Sequence, residues 1–186
     1  TNRLCKAAME ENLCDVGQVP GDRLVRLYQN WAQGGAGLIL TGNVMIAPDA
    51  LTGPGGVVLQ DDSSIERFKT WAAAAKSGGA QVWMQLSHPG RQVYAAMGER
   101  AVAPSAIGVN IPGFEKMFAT PRALEEFEIR EIIQRFATSA ALAERAGFDG
   151  CQIHSAHGYL LSQFLSPLSN LREDQWGGTL ENRARF

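Results

Sequence analysis

Cys151-Gln152-Ile153-His154-Ser155-Ala156-His157-Gly158-Tyr159-Leu160-Leu161-Ser162-Gln163-Phe164-Leu165-Ser166-Pro167 is the stretch on which the reading of this chain turns. Its apolar start, entered through Gly147-Phe148-Asp149-Gly150, has the length and punctuation of a buried strand. The carboxyl end of that strand releases two imidazoles and a phenol within six residues, the place where open and closed α/β sheets do chemistry. His154 and His157 are two of only 3 histidines and Tyr159 is one of 3 tyrosines, so core packing alone is a poor account of the cluster. Capping of a strand end by hydrogen bonds is the plainer alternative.

Working outward, the same unit recurs. Ile129, Ile132, Ile133, Phe136, Ala140 and Ala143 form one helical stripe that ends at Gly147, before the strand. Earlier, Asp22 is placed to cap a helix with Leu24, Leu27, Tyr28 and Trp31 inward, closed by Gly34-Gly35 and followed by the run 36–42. Ser63 or Ser64 is placed to start another, with Ile65, Phe68, Ala72 and Ala75 inward, closed by Gly78-Gly79 and followed by the run 80–86. Both runs are apolar without alternation, as in parallel strands buried on both faces. A first strand is read at 3–9. The segment 87–126, with prolines at 89, 104, 112 and 121, is read as a long functional loop that holds a small hairpin.

Strand, long loop and helix in repetition describe a doubly wound sheet or a βα-barrel. No Gly-rich phosphate fingerprint follows the first strand, and polar candidates follow several strands: Glu10, Asn43, Gln85 with His88, and His154 to Tyr159. The fold class is therefore α/β, a (β/α)8 TIM barrel. A complete barrel needs roughly 250 residues, a constraint that these 186 must meet.

Composition narrows the function classes. Net charge is −2 with no basic stripe, which excludes general attraction to nucleic acid or an anionic membrane surface. No apolar run reaches the roughly 20 residues that span a bilayer, and a cytoplasmic protein is expected. Cys5, Cys14 and Cys151 form no CxxC pair and are odd in number, so they are expected as reduced, buried thiols.

Gln85 in an apolar strand must find partners, since an unpaired buried amide costs about 1–3 kcal/mol; it serves a neighbouring backbone or reads a heterocyclic ligand. His88, in His88-Pro89-Gly90-Arg91, marks a loop turn or adds a third nitrogen to His154 and His157 in a metal site, although HExxH and the usual Cys/His spacings are absent. Alternatively, the paired imidazoles converge on one oxygen where negative charge develops, each such donor being worth roughly 2.7–4 kcal/mol in a transition state. Tyr159, a phenol that ordinarily ionises only near about pH 10, then serves as the proton donor to an atom that becomes basic. The charged closing segment 169–186 reads as a solvated face or a salt-bridge network, with Thr179 capping a helix from Leu180.

These residues carry a family resemblance. His154-Ser-Ala-His157-Gly-Tyr159-Leu-Leu-Ser-Gln-Phe-Leu-Ser-Pro167, then Ser169-Asn170-x-Arg172-x-Asp174-x-Trp176-Gly-Gly178-x-x-Glu181-Asn182-Arg183, strongly resembles the Old Yellow Enzyme family of FMN-dependent NAD(P)H:flavin oxidoreductases and ene-reductases. Gln85-Leu86-Ser87-His88-Pro89-Gly90-Arg91 and Asn2-Arg3-Leu4-Cys5-Lys6-Ala7-Ala8-Met9 are similar to its third and first strands. The resemblance implies that residues 1–186 are the N-terminal half of one FMN-binding TIM-barrel domain, roughly its first four βα units, truncated at both ends. It further implies Ala8, Met9 and Glu10 against the isoalloxazine, Asn43 beside it and Gln85 on its pyrimidine edge. His154 and His157 would hold the oxygen of an enone or nitroalkene. Tyr159 would protonate the α-carbon after hydride reaches the β-carbon, with NAD(P)H as reductant.

Glu10 stands where family members often carry Thr or Cys, which bears on the flavin potential. The resemblance places the strands five to eight, with an Arg near flavin N1 and the phosphate loops, outside this chain. The isolated half is expected to bind FMN weakly, to turn over little, and to form a homo-oligomer or pair with the other half. Two other readings remain: a metal-dependent barrel hydrolase using His88, His154 and His157, and a non-catalytic half barrel that self-associates.

Overall fold

The computed structural model describes residues 2–98, 100–114 and 116–186. In chain order the elements are β1 (Cys5–Lys6), β2 (Cys14–Asp15), β3 (Val19–Pro20), α1 (Asp22–Ala32), β4 (Leu38–Met45), β5 (Val57–Val58), α2 (Ile65–Lys76), β6 (Gln81–Ser87), β7 (Val102–Ala103), β8 (Arg122–Ala123), α3 (Glu126–Arg145), β9 (Gly150–Ile153), α4 (Leu160–Leu165) and α5 (Leu180–Arg183). They divide into two compact units, described in turn.

The first unit comprises Thr1–Pro48, Gly55–Leu86 and Phe136–Ile153. Its sheet has the order β1-β4-β6-β9, with β5 added beside β4. β1 runs parallel to β4 with Cys5 opposite Leu38, and β6 parallel to β9 with Gln85 opposite Gln152. The parallel direction follows from the helices between the strands, since a crossover is needed to bring the chain back.

One side of these strands is closed by aromatic packing. Tyr28 of α1 meets Trp71 of α2 edge to face at 5.1 Å, and Trp71 meets Phe148 at 5.5 Å. Leu24, Tyr28 and Ala32 are buried at helical spacing along α1, as are Phe68, Trp71, Ala72 and Ala75 along α2. The expectation of burial on both strand faces is corrected by β6, where Val82, Met84 and Leu86 are buried while Gln81 and Trp83 are exposed. Cys5 is exposed and Cys14 and Cys151 are half-buried, none of them in a disulfide, so the expected full burial is not found. Their strands have no fully buried residue. The expected caps differ too: Gly21 precedes α1 while Asp22 lies in its first turn, and Ser64 makes no side-chain cap bond.

The second unit comprises Asp49–Pro54, Ser87–Arg135 and His154–Phe186. The expected hairpin is replaced by a parallel ladder, Val102 opposite Arg122 and Ala103 opposite Ala123. The chain leaves β7 through a long excursion and returns in the same direction, which a hairpin turn cannot do. Arg172 organises this segment. Its guanidinium donates to the carbonyls of Pro104 (3.0 Å) and Leu124 (2.5 Å) and to the Asp174 carboxylate, whose pKa that bond lowers. Of the two expected readings, the local salt-bridge network holds at Arg172 and Asp174, and it also ties the segment to the carbonyls of Pro104 and Leu124. Thr179 does cap α5, its hydroxyl accepting the Asn182 N–H at 3.3 Å.

Trp71, 1% exposed, is the hinge of the aromatic layer. Trp71→Ala is expected to cost about 3–5 kcal/mol through lost burial and the cavity left behind, measured by denaturant unfolding against wild type.

Candidate functional site

In the first unit, polar groups collect at the carboxyl ends of β4, β6 and β9. Gln85, 8% exposed, donates its backbone N–H to Thr41 Oγ1 (2.9 Å) and its side-chain Nε2–H to Gln152 Oε1 (2.7 Å). The amide pair follows from register, because parallel partners on adjacent strands project to the same face. Gln85 Oε1 has no hydrogen-bond partner among the described residues, leaving an acceptor open on a nearly buried residue. Glu10 accepts from Asn43 Nδ2 at 3.4 Å, and Met9 beside it is 50% exposed. Ala8 is half-buried.

Glu11 fixes how these groups stand. Its carboxylate accepts the Gly42 N–H at 3.0 Å and the Tyr28 O–H, while the Tyr28 oxygen also takes the Gly42 N–H at 3.0 Å. A Cβ on Gly42 would collide with the Glu11 carboxylate and the Met9 carbonyl, so glycine is required by that close approach. Sequence reasoning misses Glu11, because its partners are distant in the chain. Gln152 has a readable signal, a second amide at the matching position of the next strand.

In the second unit, His154, His157 and Tyr159 form one ring cluster. His154 lies 5.1 Å from His157 and 4.9 Å from Tyr159 between ring centroids, and His157 and Tyr159 are 6.4 Å apart. His154 is 7% exposed, and its Nδ1 accepts the Ala156 N–H at 3.3 Å. In the neutral ring that leaves the proton on Nε2, a tautomer assigned from the hydrogen bond. His157 is exposed and holds a left-handed backbone, φ +56°. Two imidazoles and a phenol within one cluster can hold an electronegative oxygen and offer a proton near it.

His88 is not part of that cluster. Its Nδ1 accepts the Gly90 N–H at 3.0 Å, and it lines a cleft of about 520 Å³ with Asp49, Arg100, Arg122, Glu128 and Arg135. Among the described residues no group of three His, Cys, Asp or Glu is placed to share a metal ion. The trio required by the hydrolase reading is therefore not assembled.

Burial pushes the His88 pKa down to about 3, with Arg135 adding to the shift. A histidine with a depressed native pKa gives stability that is complete above its unfolded value, about 6.5, and is lost as pH falls toward the native value. Between about pH 6.5 and 3, stability is expected to fall by up to about 1.4 kcal/mol per pH unit from this group. His88→Gln should flatten that slope in denaturant melts at pH 7, 6 and 5.

Comparison with known proteins places these features. The profile described as the NADH:flavin oxidoreductase / NADH oxidase family matches residues 1–186. The chain is 39% identical over its full length to the NADH-dependent flavin oxidoreductase nadA of Aspergillus parasiticus, covering 44% of that protein. It is 39% identical to the NADH oxidase of Thermoanaerobacter brockii, covering 28%. Among solved structures, morphinone reductase superposes with a TM-score of 0.87 at 32% identity, over 99% of this chain and 52% of that one. The Old Yellow Enzyme homologue from Zymomonas mobilis gives 0.87 at 33%, over 99% and 53%. The chain thus spans about half the length or less of the relatives it matches, and the expected fold class, about half of a (β/α)8 barrel, holds. No helix among the described residues is long and apolar enough to cross a membrane. The chain belongs to the NADH:flavin oxidoreductase / NADH oxidase family, whose cofactors are FMN and, as reductant, NAD(P)H.

Proposed function

We propose that this chain is the N-terminal part of an FMN-dependent NAD(P)H oxidoreductase that reduces activated alkenes such as enones and nitroalkenes, with Tyr159 as proton donor. The observation that carries the reading is the ring cluster of His154, His157 and Tyr159 directly after β9, in a chain whose full length matches a flavin oxidoreductase family.

The groups of the first unit fit an isoalloxazine. The open Gln85 Oε1 suits a ring N–H of a pyrimidine edge, Asn43 adds an amide, and Ala8 and Met9 offer apolar contact. FMN, held there, would supply the hydride chemistry that links NAD(P)H to the β-carbon of the alkene. The remaining work belongs to side chains. In the neutral His154 ring the Nε2–H is the donor offered to the substrate's carbonyl or nitro oxygen, with His157 as second donor. Charge that develops on that oxygen is met by donors already in place, which lowers the barrier. Tyr159, 4.9 Å from His154 between centroids, gives its hydroxyl proton to the α-carbon.

Glu10 brings a carboxylate to the same strand ends. An ionised carboxylate beside the ring system opposes the added electron density of its reduced form.

The first test is a visible absorption spectrum of the purified chain after FMN addition and removal of free flavin, with intact mass on the same sample. Weak flavin retention and little anaerobic NAD(P)H-dependent reduction of 2-cyclohexen-1-one are expected of this chain alone, and firm FMN binding with turnover of the full-length protein. Tyr159→Phe should lower alkene reduction by about 10²–10⁴-fold while leaving flavin binding unchanged; equal turnover would remove Tyr159 from its role. Glu10→Thr is expected to raise the flavin midpoint potential by an amount on the order of tens of millivolts. A redox titration that shows no upward shift rejects that effect.

A further inference from the structure

We propose that Gln92 and Gln163 are positioning residues that clamp the His157–Gly158 turn and thereby set where the His157 imidazole and the Tyr159 hydroxyl stand. The inference rests on the function proposed above and adds two residues to its machinery.

The turn is unusual in its backbone. His157 and Gly158 both have left-handed angles, φ +56° and +76°. Glycine tolerates that region, but a residue with a Cβ occupies it at a cost and stays only where its surroundings enforce it. Two consecutive carbonyls therefore leave the chain in directions that no strand or helix ladder serves. Each is held by a glutamine side chain: Gln92 Nε2 donates to the His157 carbonyl at 2.7 Å, and Gln163 Nε2 donates to the Gly158 carbonyl at 2.7 Å.

Gln163 is built in, not draped over the turn. It is 1% exposed, its Nε2 also donates to the Pro89 carbonyl at 3.2 Å, and its Oε1 accepts the Arg91 N–H at 3.2 Å. A Cβ on Gly90 would collide with the same amide. The backbone N–H of Gln163 donates to the Tyr159 carbonyl at 2.8 Å, and Leu160 N–H donates to the His88 carbonyl at 3.0 Å. The side-chain amide thus ties the loop 89–91 to the turn that carries His157 and Tyr159. Gln92, three residues after Pro89, grips the same turn at the next carbonyl.

The exposed His157 ring makes this matter. A side chain near solvent takes its direction from its own backbone, and relaxation of His157 to an ordinary right-handed or extended conformation would swing the imidazole away from His154. Misplacement of a binding group by about 1 Å can cost about 10²-fold in rate. The glutamines hold the backbone in the conformation that keeps the two imidazoles 5.1 Å apart.

The test compares wild type with Gln92→Leu, Gln92→Lys and Gln163→Glu. Gln163→Glu keeps size and the acceptor for Arg91 N–H but turns a carboxylate toward two carbonyls. Amide hydrogen exchange across residues 157–160, on protein without ligand, reads the clamp itself. Steady-state kinetics on 2-cyclohexen-1-one with FMN-loaded protein reads its consequence. Gln92→Leu and Gln163→Glu are expected to speed exchange in the turn and to lower kcat/KM, each by about tenfold, with FMN affinity within about twofold of wild type. Gln92→Lys retains a donor and should recover most of the loss. Unchanged exchange and unchanged kcat/KM in Gln92→Leu would overturn the proposal, as would a parallel loss of FMN affinity, which marks a general folding role. A full-length protein that binds no FMN would end the functional reading, while the exchange comparison still decides the clamp.

Discussion

The first unit depends on one interaction: the Glu11 carboxylate in the space left open by the missing side chain of Gly42. The carboxylate accepts the Gly42 N–H and the hydroxyl of Tyr28, a residue with 0% exposure. Burial, with the Glu11 charge beside it, holds the Tyr28 hydroxyl well above its usual pKa, so it stays protonated and keeps donating. Three elements meet there: the segment after β1, the end of β4, and α1. Lys6 supports the same joint, its Nζ 4.2 Å over the Trp31 ring and donating to the Leu40 carbonyl at 2.9 Å. Burial lowers the Lys6 pKa and the Glu11 charge opposes that shift. Glu10 and Asn43 are the immediate neighbours of Glu11 and Gly42, so the pair offered to a ligand inherits its placement from the pair beneath it.

The second unit solves a similar problem with neutral groups. Its turn after β9 has carbonyls that no sheet can satisfy, and amide side chains meet them. Neutral amides suit such a place because they bond fully without the desolvation penalty of an ion. His88 follows the same rule, since burial keeps it neutral while it accepts the Gly90 N–H. Arg172 is the exception that confirms the cost. Its guanidinium is surrounded by the Asp174 carboxylate and two carbonyls.

What is legible in the sequence has short range. The stripes of α1, α2 and α3 and the apolar runs of β4, β6 and β9 are periodic signals, and the cluster His154, His157, Tyr159 lies within six residues. The role of Glu11 is not legible, because it depends on a side chain that Gly42 lacks, 31 residues away. Arg172 reads as a solvated charge since its acceptors, Pro104 and Leu124, are 68 and 48 residues distant. Cys5 reads as buried because an apolar run does not reveal how many faces of its strand are covered. Gln152 lies between these cases: it can be found from Gln85 once the parallel register of β6 and β9 is assumed.

The contrast between Glu10 and Glu11 shows how one sequence pair divides structural from ligand-facing work. Glu11 has one carboxylate oxygen, Oε1, committed to an amide N–H and a phenol O–H, which fixes the side chain against Gly42 and Tyr28. Glu10 is exposed and accepts from Asn43 at 3.4 Å. Under the proposed function, a flat ring laid over the strand ends would cover an exposed carboxylate without bringing a cation, which penalises its ionised form. Under the proposed function Gln85 would gain in the opposite sense, because its open oxygen would win an N–H partner. Binding at these strand ends would then be a balance between an acceptor that favours the ring and a carboxylate that resists it, with the resistance growing with any negative charge the ring acquires.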